Sequence, residues 1–220
     1  MNFFNEDNFL HQFFLFLGKL IALNLLWMIC SIPVITIGAS TTAMYYCTLK
    51  LHKDKDIDAI KSFFKSFKRN FLQSTIIWVI LLLAAFILWL EQIAVKTMPA
   101  GARQMFTYVL AAVGILLLLL TLYIFPTVAS FDNKIKKLAG HSIYFIFRQP
   151  GYAVAVTAIT CLPMYFTVVD TELFPVYLFI WLMCGFSLTA YANSWFLWRL
   201  YRPFFEEDTK KTEENSLDIP

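Results

Sequence analysis

Residues 20 to 49 read LIALNLLWMICSIPVITIGASTTAMYYCTL, thirty positions without a charged side chain. As one straight helix they would measure about 45 Å at 1.5 Å per residue, against about 30 Å for the hydrocarbon core of a bilayer. Pro33 and Gly38 supply the break. Proline removes a helical donor and biases Ile32 toward an extended backbone, while Ser40, Thr41 and Thr42 after Gly38 offer hydroxyls to start a new helix. The stretch therefore predicts a helix near 11 to 31, an extended connection from Ile32 to Ile37, and a shorter helix over 39 to 53. If the second piece returns across the membrane, the chain crosses six times with its N-terminus inside. If it lies in the cytoplasmic interface, there are five crossings and the N-terminus is outside.

Outward from this segment the pattern repeats, with further uncharged stretches at 70 to 90, 104 to 131, 149 to 169 and 173 to 198, each long enough to cross a bilayer. The chain is 59% hydrophobic and only 15% charged, too few charges to cover a soluble fold of 220 residues. The class is all-α: a polytopic transmembrane helical bundle of six membrane helices, or five on the alternative above. A single membrane domain is expected over 1 to 205, with a polar, disordered cytoplasmic tail at 206 to 220. Of 18 basic residues, seven fall in 50 to 69, four in 132 to 148 and four after 198, so these segments and the C-terminus are expected in the cytoplasm. Flanking membrane segments as they do, these residues do not point to nucleic acid. Met1 to Gln12 holds no basic residue, so no cleavable signal is expected, and its phenylalanines suit an interface.

Two cytoplasmic amphipathic helices are predicted. The first, from Ile57 to Phe71, places Ile57, Ile60, Phe63, Phe64, Phe67 and Phe71 at helical spacing opposite Lys61, Lys65, Lys68 and Arg69. Such a helix suits an anionic leaflet or a protein partner. Eighty residues on, Ser142, Phe147 and Arg148 repeat Ser62, Phe67 and Lys68. Candidate contact residues are therefore Lys61, Phe64, Lys65, Phe67, Lys68, Arg69, Phe147 and Arg148.

Chemistry inside a membrane needs ionisable groups facing a cavity, and the uncharged stretches hold none. The cysteines, Cys30, Cys47, Cys161 and Cys184, lack metal or redox spacing, and no phosphate-cradling glycine loop or serine elbow occurs. The expectation is a non-enzyme with no catalytic residue, cofactor or metal. Uncharged polar groups remain: Asn24, Thr41, Thr42, Tyr45 and Asn193, with hinge residues Pro33 and Gly38, could tie helices together or line a path for a neutral solute.

The run from Asn24 through Pro33, Gly38 and Thr42 to Tyr46, followed by Ser62 to Phe71, resembles the YesL family of bacterial integral membrane proteins, a domain of unknown function. The resemblance is specific over about residues 20 to 80, and beyond that it rests on length, hydropathy and helix number. Ser31 to Pro33 departs from it by one residue, isoleucine standing where a leucine precedes the proline. The family assigns no catalytic residues. It implies a Gram-positive plasma membrane and genes beside carbohydrate-uptake ATP-binding cassette systems, hence an accessory or regulatory component whose partner is a sugar permease or its ATPase.

Overall fold

The computed structural model describes residues 9–54 and 57–217, with side chains for 10–54 and 57–205. Most of the phenylalanine-rich start falls outside these, while the tail expected to be disordered is helical in its backbone as far as Leu217. The described residues are helical, with no strand among them. Helix α1, Phe9–Cys30, ends in a tapering turn, because Pro33 holds an extended backbone (φ −73°, ψ 115°) that no helix can pass through. The connection is not extended throughout, however. Val34–Thr36 close a 3₁₀ turn, and α2, Ile37–Lys53, starts two residues earlier than predicted. No hydroxyl caps α2, and the Ser40 hydroxyl instead donates back to the Thr36 carbonyl.

Helix α2 is the centre of the bundle. It is enclosed by α1, by α3 (Ala59–Val95), by α4 (Ala100–Ser130) and by α8 (Phe186–Leu217), and most of its residues are buried. It does not lie along a surface. Its pairing with α3 is antiparallel: Gly38 packs against Ser74 and Trp78, the Thr42 and Ser74 hydroxyls meet at 2.9 Å, and the Cys47 thiol points at the Ala59 carbonyl.

Helix α3 corrects a second expectation. The amphipathic segment is not a separate helix but the first part of a single 37-residue one, about 55 Å long and capped by Asp58, which accepts from the Lys61 amide at 3.0 Å. Its inward face is Ala59, Ser62, Phe63, Ser66, Asn70, Ser74, Ile77 and Leu81, with the small polar residues Ser62, Ser66, Asn70 and Ser74 at helical spacing. Of the predicted apolar face, Ile57 and Phe63 are buried, Phe67 is half-buried, and Ile60, Phe64 and Phe71 are exposed. Small side chains let helix axes approach closely, which is what α2 requires of its neighbour.

The second copy does form its own helix, α5, Ile135–Arg148, with Leu138, Ser142, Phe145 and Ile146 inward and Ile143 outward. The difference between the copies has a local cause. Pro150 opens α6, Pro150–Val169, where Asn70 stands in the first copy; asparagine keeps its N–H and lets α3 run on, whereas proline forces the break at Gln149. The last helix starts as α7, Phe174–Ile180, passes through a π turn at Trp181–Gly185 and continues as α8.

Among the described residues, five helical segments are long and apolar enough to cross a membrane: Leu10–Cys30, Ala59–Val95, Ala100–Ser130, Pro150–Val169 and Phe174–Phe205. The core is not spread evenly along them. In α3 the only buried residue after Leu81 is Val95, in α4 the only one before Tyr123 is Leu110, and α7 has none.

His52, outside the long apolar helices, stacks on Tyr191 (4.2 Å between ring centroids) and donates from Nε2 to the Tyr191 carbonyl at 3.1 Å. Burial pulls its pKa below the ordinary imidazole value, and the carbonyl only partly offsets this. The folded state thus favours the neutral ring. The contact is at full strength above the unfolded pKa of about 6.5 and is lost as pH falls from there through the lower folded value. Melting in detergent is expected at lower temperature at about pH 5.5 than at about pH 7.5, and His52→Phe is expected to flatten that difference; an equal pH response in the variant would assign it elsewhere.

Candidate functional site: an uncharged aromatic cavity

Between α2 and the surrounding helices lies a cavity of about 190 Å³, walled by the rings of Trp27, Trp78 and Trp181 and by Thr41, Tyr45 and Thr160 among others. Each tryptophan is fixed by its N–H. Trp27 donates to the Thr41 hydroxyl (3.1 Å), Trp78 to the Val34 carbonyl (2.8 Å) and Trp181 to the Thr167 hydroxyl (2.9 Å). The wall hydroxyls of Thr121, Thr160 and Thr189 donate to the carbonyl four residues back on their own helices, which leaves them only lone pairs to offer.

Behind this wall sits a neutral polar cluster. Asn193 donates to the Thr160 hydroxyl at 2.9 Å and to the Tyr45 hydroxyl at 3.3 Å. Its own Oδ1 and the Tyr123 hydroxyl are buried without a hydrogen-bond partner. Thr48 and Ser194 pair at 2.7 Å, and Tyr201 meets Thr127 at 3.1 Å. Such bonds tie α2, α4, α6 and α8 together where lipid cannot compete for them.

At the cavity's edge Asn24 clamps the π turn. Its amide donates to the Trp181 and Leu182 carbonyls, each at 2.9 Å, and its Oδ1 accepts from the Ser187 amide at 3.1 Å. A π turn displaces the regular ladder, and a carboxamide, donor and acceptor at once, satisfies both sides of the gap.

Of the predicted polar residues, Thr41 and Tyr45 line the cavity, Asn193 stands just behind it, and Asn24 serves as the clamp. Thr42 is used in the contact with Ser74, Gly38 in close packing, and Pro33 in the turn. Trp181, the π turn and the serines of α3 were not anticipated; the Ser62, Ser66, Asn70, Ser74 spacing was the available signal.

The predicted contact residues gather at one end. Lys61, Phe64, Lys65, Lys68, Arg69, Phe147 and Arg148 are exposed there and Phe67 is half-buried. Arg69 approaches Asp132 (3.8 Å), Gln73 donates to the Asn133 carbonyl (2.7 Å), and Arg148 lies over the Phe204 ring (5.1 Å), so the three basic segments adjoin. Close by is a wider cavity of about 500 Å³ lined by Lys50, Lys53, Tyr46, Ser130, Trp198 and Phe205. Arg69 sits over the Tyr46 ring at 5.5 Å. No group of three or more metal-ligating side chains occurs among the described residues.

Long apolar helices around an uncharged interior define a multi-pass helical membrane protein. A family described as "Protein of unknown function, DUF624" matches residues 20–91. The chain is also similar to "Uncharacterized protein YesL" of Bacillus subtilis (strain 168), 25% identical over 155 residues that cover 69% of this chain and 73% of that protein. Together these bear out the resemblance to the YesL family, whose function is unknown. No solved structure matches.

Proposed function

We propose that the protein is a non-enzymatic accessory or scaffold component of a bacterial plasma membrane, serving carbohydrate uptake by an ATP-binding cassette system or its regulation, with its C-terminus in the cytoplasm. The observation that carries this reading is the basic and aromatic end. Lys61, Lys65, Lys68 and Arg148, with Phe64 and Phe147 between them, are exposed on helices whose inner faces are already packed. Such a surface suits an acidic partner or anionic head groups. Its position at the convergence of three basic segments supports the cytoplasmic assignment. The sugar-uptake connection comes from the family resemblance. Purification in mild detergent from native expression is expected to bring down a permease or ATPase of that class, and Lys61→Glu with Lys65→Glu to release it. Recovery of the protein with lipid alone would count against the reading.

The leaflet itself is the second partner. Lys50 and Lys53 project into the wider cavity beside Trp198 and Phe205, which pairs cations with apolar surface as a lipid head group and its chains require. Lipid retained on purification is expected to be enriched in anionic species, and Lys50→Gln with Lys53→Gln to remove that enrichment; unchanged composition would separate the lysines from lipid binding.

A carrier or channel for a neutral solute such as a saccharide is the alternative, favoured by Thr41 and Tyr45 lining a tryptophan-walled cavity. It ranks second because three of the wall hydroxyls already donate within their own helices. Reconstituted vesicles showing sugar flux that Thr41→Val abolishes would reverse the order.

A further inference from the structure

We infer that the tryptophan-walled cavity is a binding site for a small neutral phenol, one aromatic ring carrying a hydroxyl, taken up from the bilayer. This goes beyond the accessory role and does not rest on it, since that reading is carried by the basic end of the molecule. It also narrows the alternative reading, because the features that admit a phenol disfavour a saccharide.

The walls set the shape of the ligand. Trp27 and Trp181 both pack on Phe186, with ring centroids 4.5 and 4.7 Å apart, and Trp78 packs on Phe125 at 6.1 Å. These rings line one cavity although they come from α1, α3, α4, the π turn and α8. Each indole is held by its own hydrogen bond, so the walls are in place before any ligand arrives. Aromatic rings favour a further ring beside them, edge-on or offset. An apolar cavity of about 150 Å³ holds benzene. At about 190 Å³ this one has room for a ring and a substituent.

The hydroxyls set the substituent. Thr121, Thr160 and Thr189 spend their protons on carbonyls of their own helices and so present lone pairs. Thr41 is arranged the other way: its oxygen accepts from Trp27, and its own proton has no acceptor among the described residues. A ligand group that both donates and accepts answers the two kinds at once. A hydroxyl does so, whereas an ether or a carbonyl only accepts. No charged side chain lines the cavity, so a charged ligand would have nothing to answer it. A saccharide would bring a hydroxyl on nearly every carbon, and the tryptophan and phenylalanine faces would leave most of them unpaired.

The way in agrees with this. Met164 lines the cavity and is 46% exposed on α6, a helix long and apolar enough to cross the membrane, so the opening faces acyl chains. Like the tyrosine side chain, a phenol is apolar along its ring and polar at one end, and so collects at the membrane. An acyl chain entering the same way would leave the threonine lone pairs and the Thr41 proton unanswered.

The test uses the whole protein in nanodiscs and fluorine NMR. 4-Fluorophenol is expected to bind saturably, above its partition into empty nanodiscs, and about tenfold more tightly than fluorobenzene, which keeps the ring and lacks the hydroxyl. Excess p-cresol is expected to displace it, and glucose to leave it bound. Thr121→Val with Thr189→Val removes only bonds to the carbonyl four residues back. This variant is expected to bind 4-fluorophenol no better than fluorobenzene, with fluorobenzene binding unchanged. Should it not fold, Thr189→Val alone is expected to reduce the preference roughly threefold. Equal affinities for the two probes in the wild type would reduce the cavity to an apolar hole, and binding of neither would mean that it admits no ring. Displacement by glucose would restore the saccharide, and a preference unmoved by the threonine variants would place the hydroxyl elsewhere. Each of these overturns the proposal. None bears on recovery of a permease or ATPase, the result by which the accessory reading is judged.

Discussion

Gly38→Val is expected to produce a protein that is inserted but falls apart in mild detergent, because α2 and α3 touch at this position without any side chain between them. A Cβ here would lie 2.6 Å from the Ser74 carbonyl oxygen, 2.7 Å from the Trp78 Cβ and 3.0 Å from the Phe125 ring. The first two are backbone and the root of a side chain, so neither can swing aside. Overpacking of this kind costs about 1–3 kcal/mol for alanine and more for valine. The clash lies where the Trp78–Val34 bond pins the turn, so that bond is strained as well. Thermal unfolding followed by size exclusion should show a graded loss, Gly38→Ala less than Gly38→Val. Gly114→Ala is the control: its Cβ would meet nothing within 4 Å, and alanine is the better helix former. Equal melting of wild type and Gly38→Val would mean that α2 and α3 are not packed as described.

Asn24→Leu is the second large effect. Leucine has similar bulk but withdraws the Asn24 bonds to the Trp181 carbonyl, the Leu182 carbonyl and the Ser187 amide. Buried groups left without partners cost about 1–3 kcal/mol each, though hydrogen bonds in membrane bundles average nearer 0.6, so roughly 2–5 kcal/mol is expected in total. The loss should have a local signature. Amide exchange ought to rise at residues 181 to 187 before it rises elsewhere, because the π turn depends on the clamp and the rest of α8 does not. Uniform loss of protection would show that Asn24 acts only as bulk.

The long helices were legible because charge is so expensive in hydrocarbon that its absence marks the spans directly. Pro33 marked the break for an equally local reason. Periodicity set the apolar face of the Ile57 to Phe71 segment toward a leaflet or a partner and left the inward face of α3 unread. In water the apolar side of a helix faces the core; in lipid an apolar side chain is as comfortable outside as inside, and small or polar residues select the interface. Hence Ser62, Ser66 and Ser74 are buried while Ile60, Phe64 and Phe71 look outward. The cavity was half legible. Thr41, Tyr45 and Trp27 lie in the segment that decides the fold, but Trp181 arrives from the far end of the chain and its π turn has no sequence signature apart from the asparagine that serves it.

That asparagine also sets an order of assembly. Asn24 and its carbonyl partners are 157 and 158 positions apart, so the first helix made on the ribosome waits for the last before its carboxamide is satisfied. Until then the carboxamide has only the weak acceptor of the Met28 sulfur, 3.6 Å away on the same helix. A chain cut short anywhere before Trp181 thus leaves the Asn24 carboxamide without its carbonyl partners, a defect displayed far from the cut.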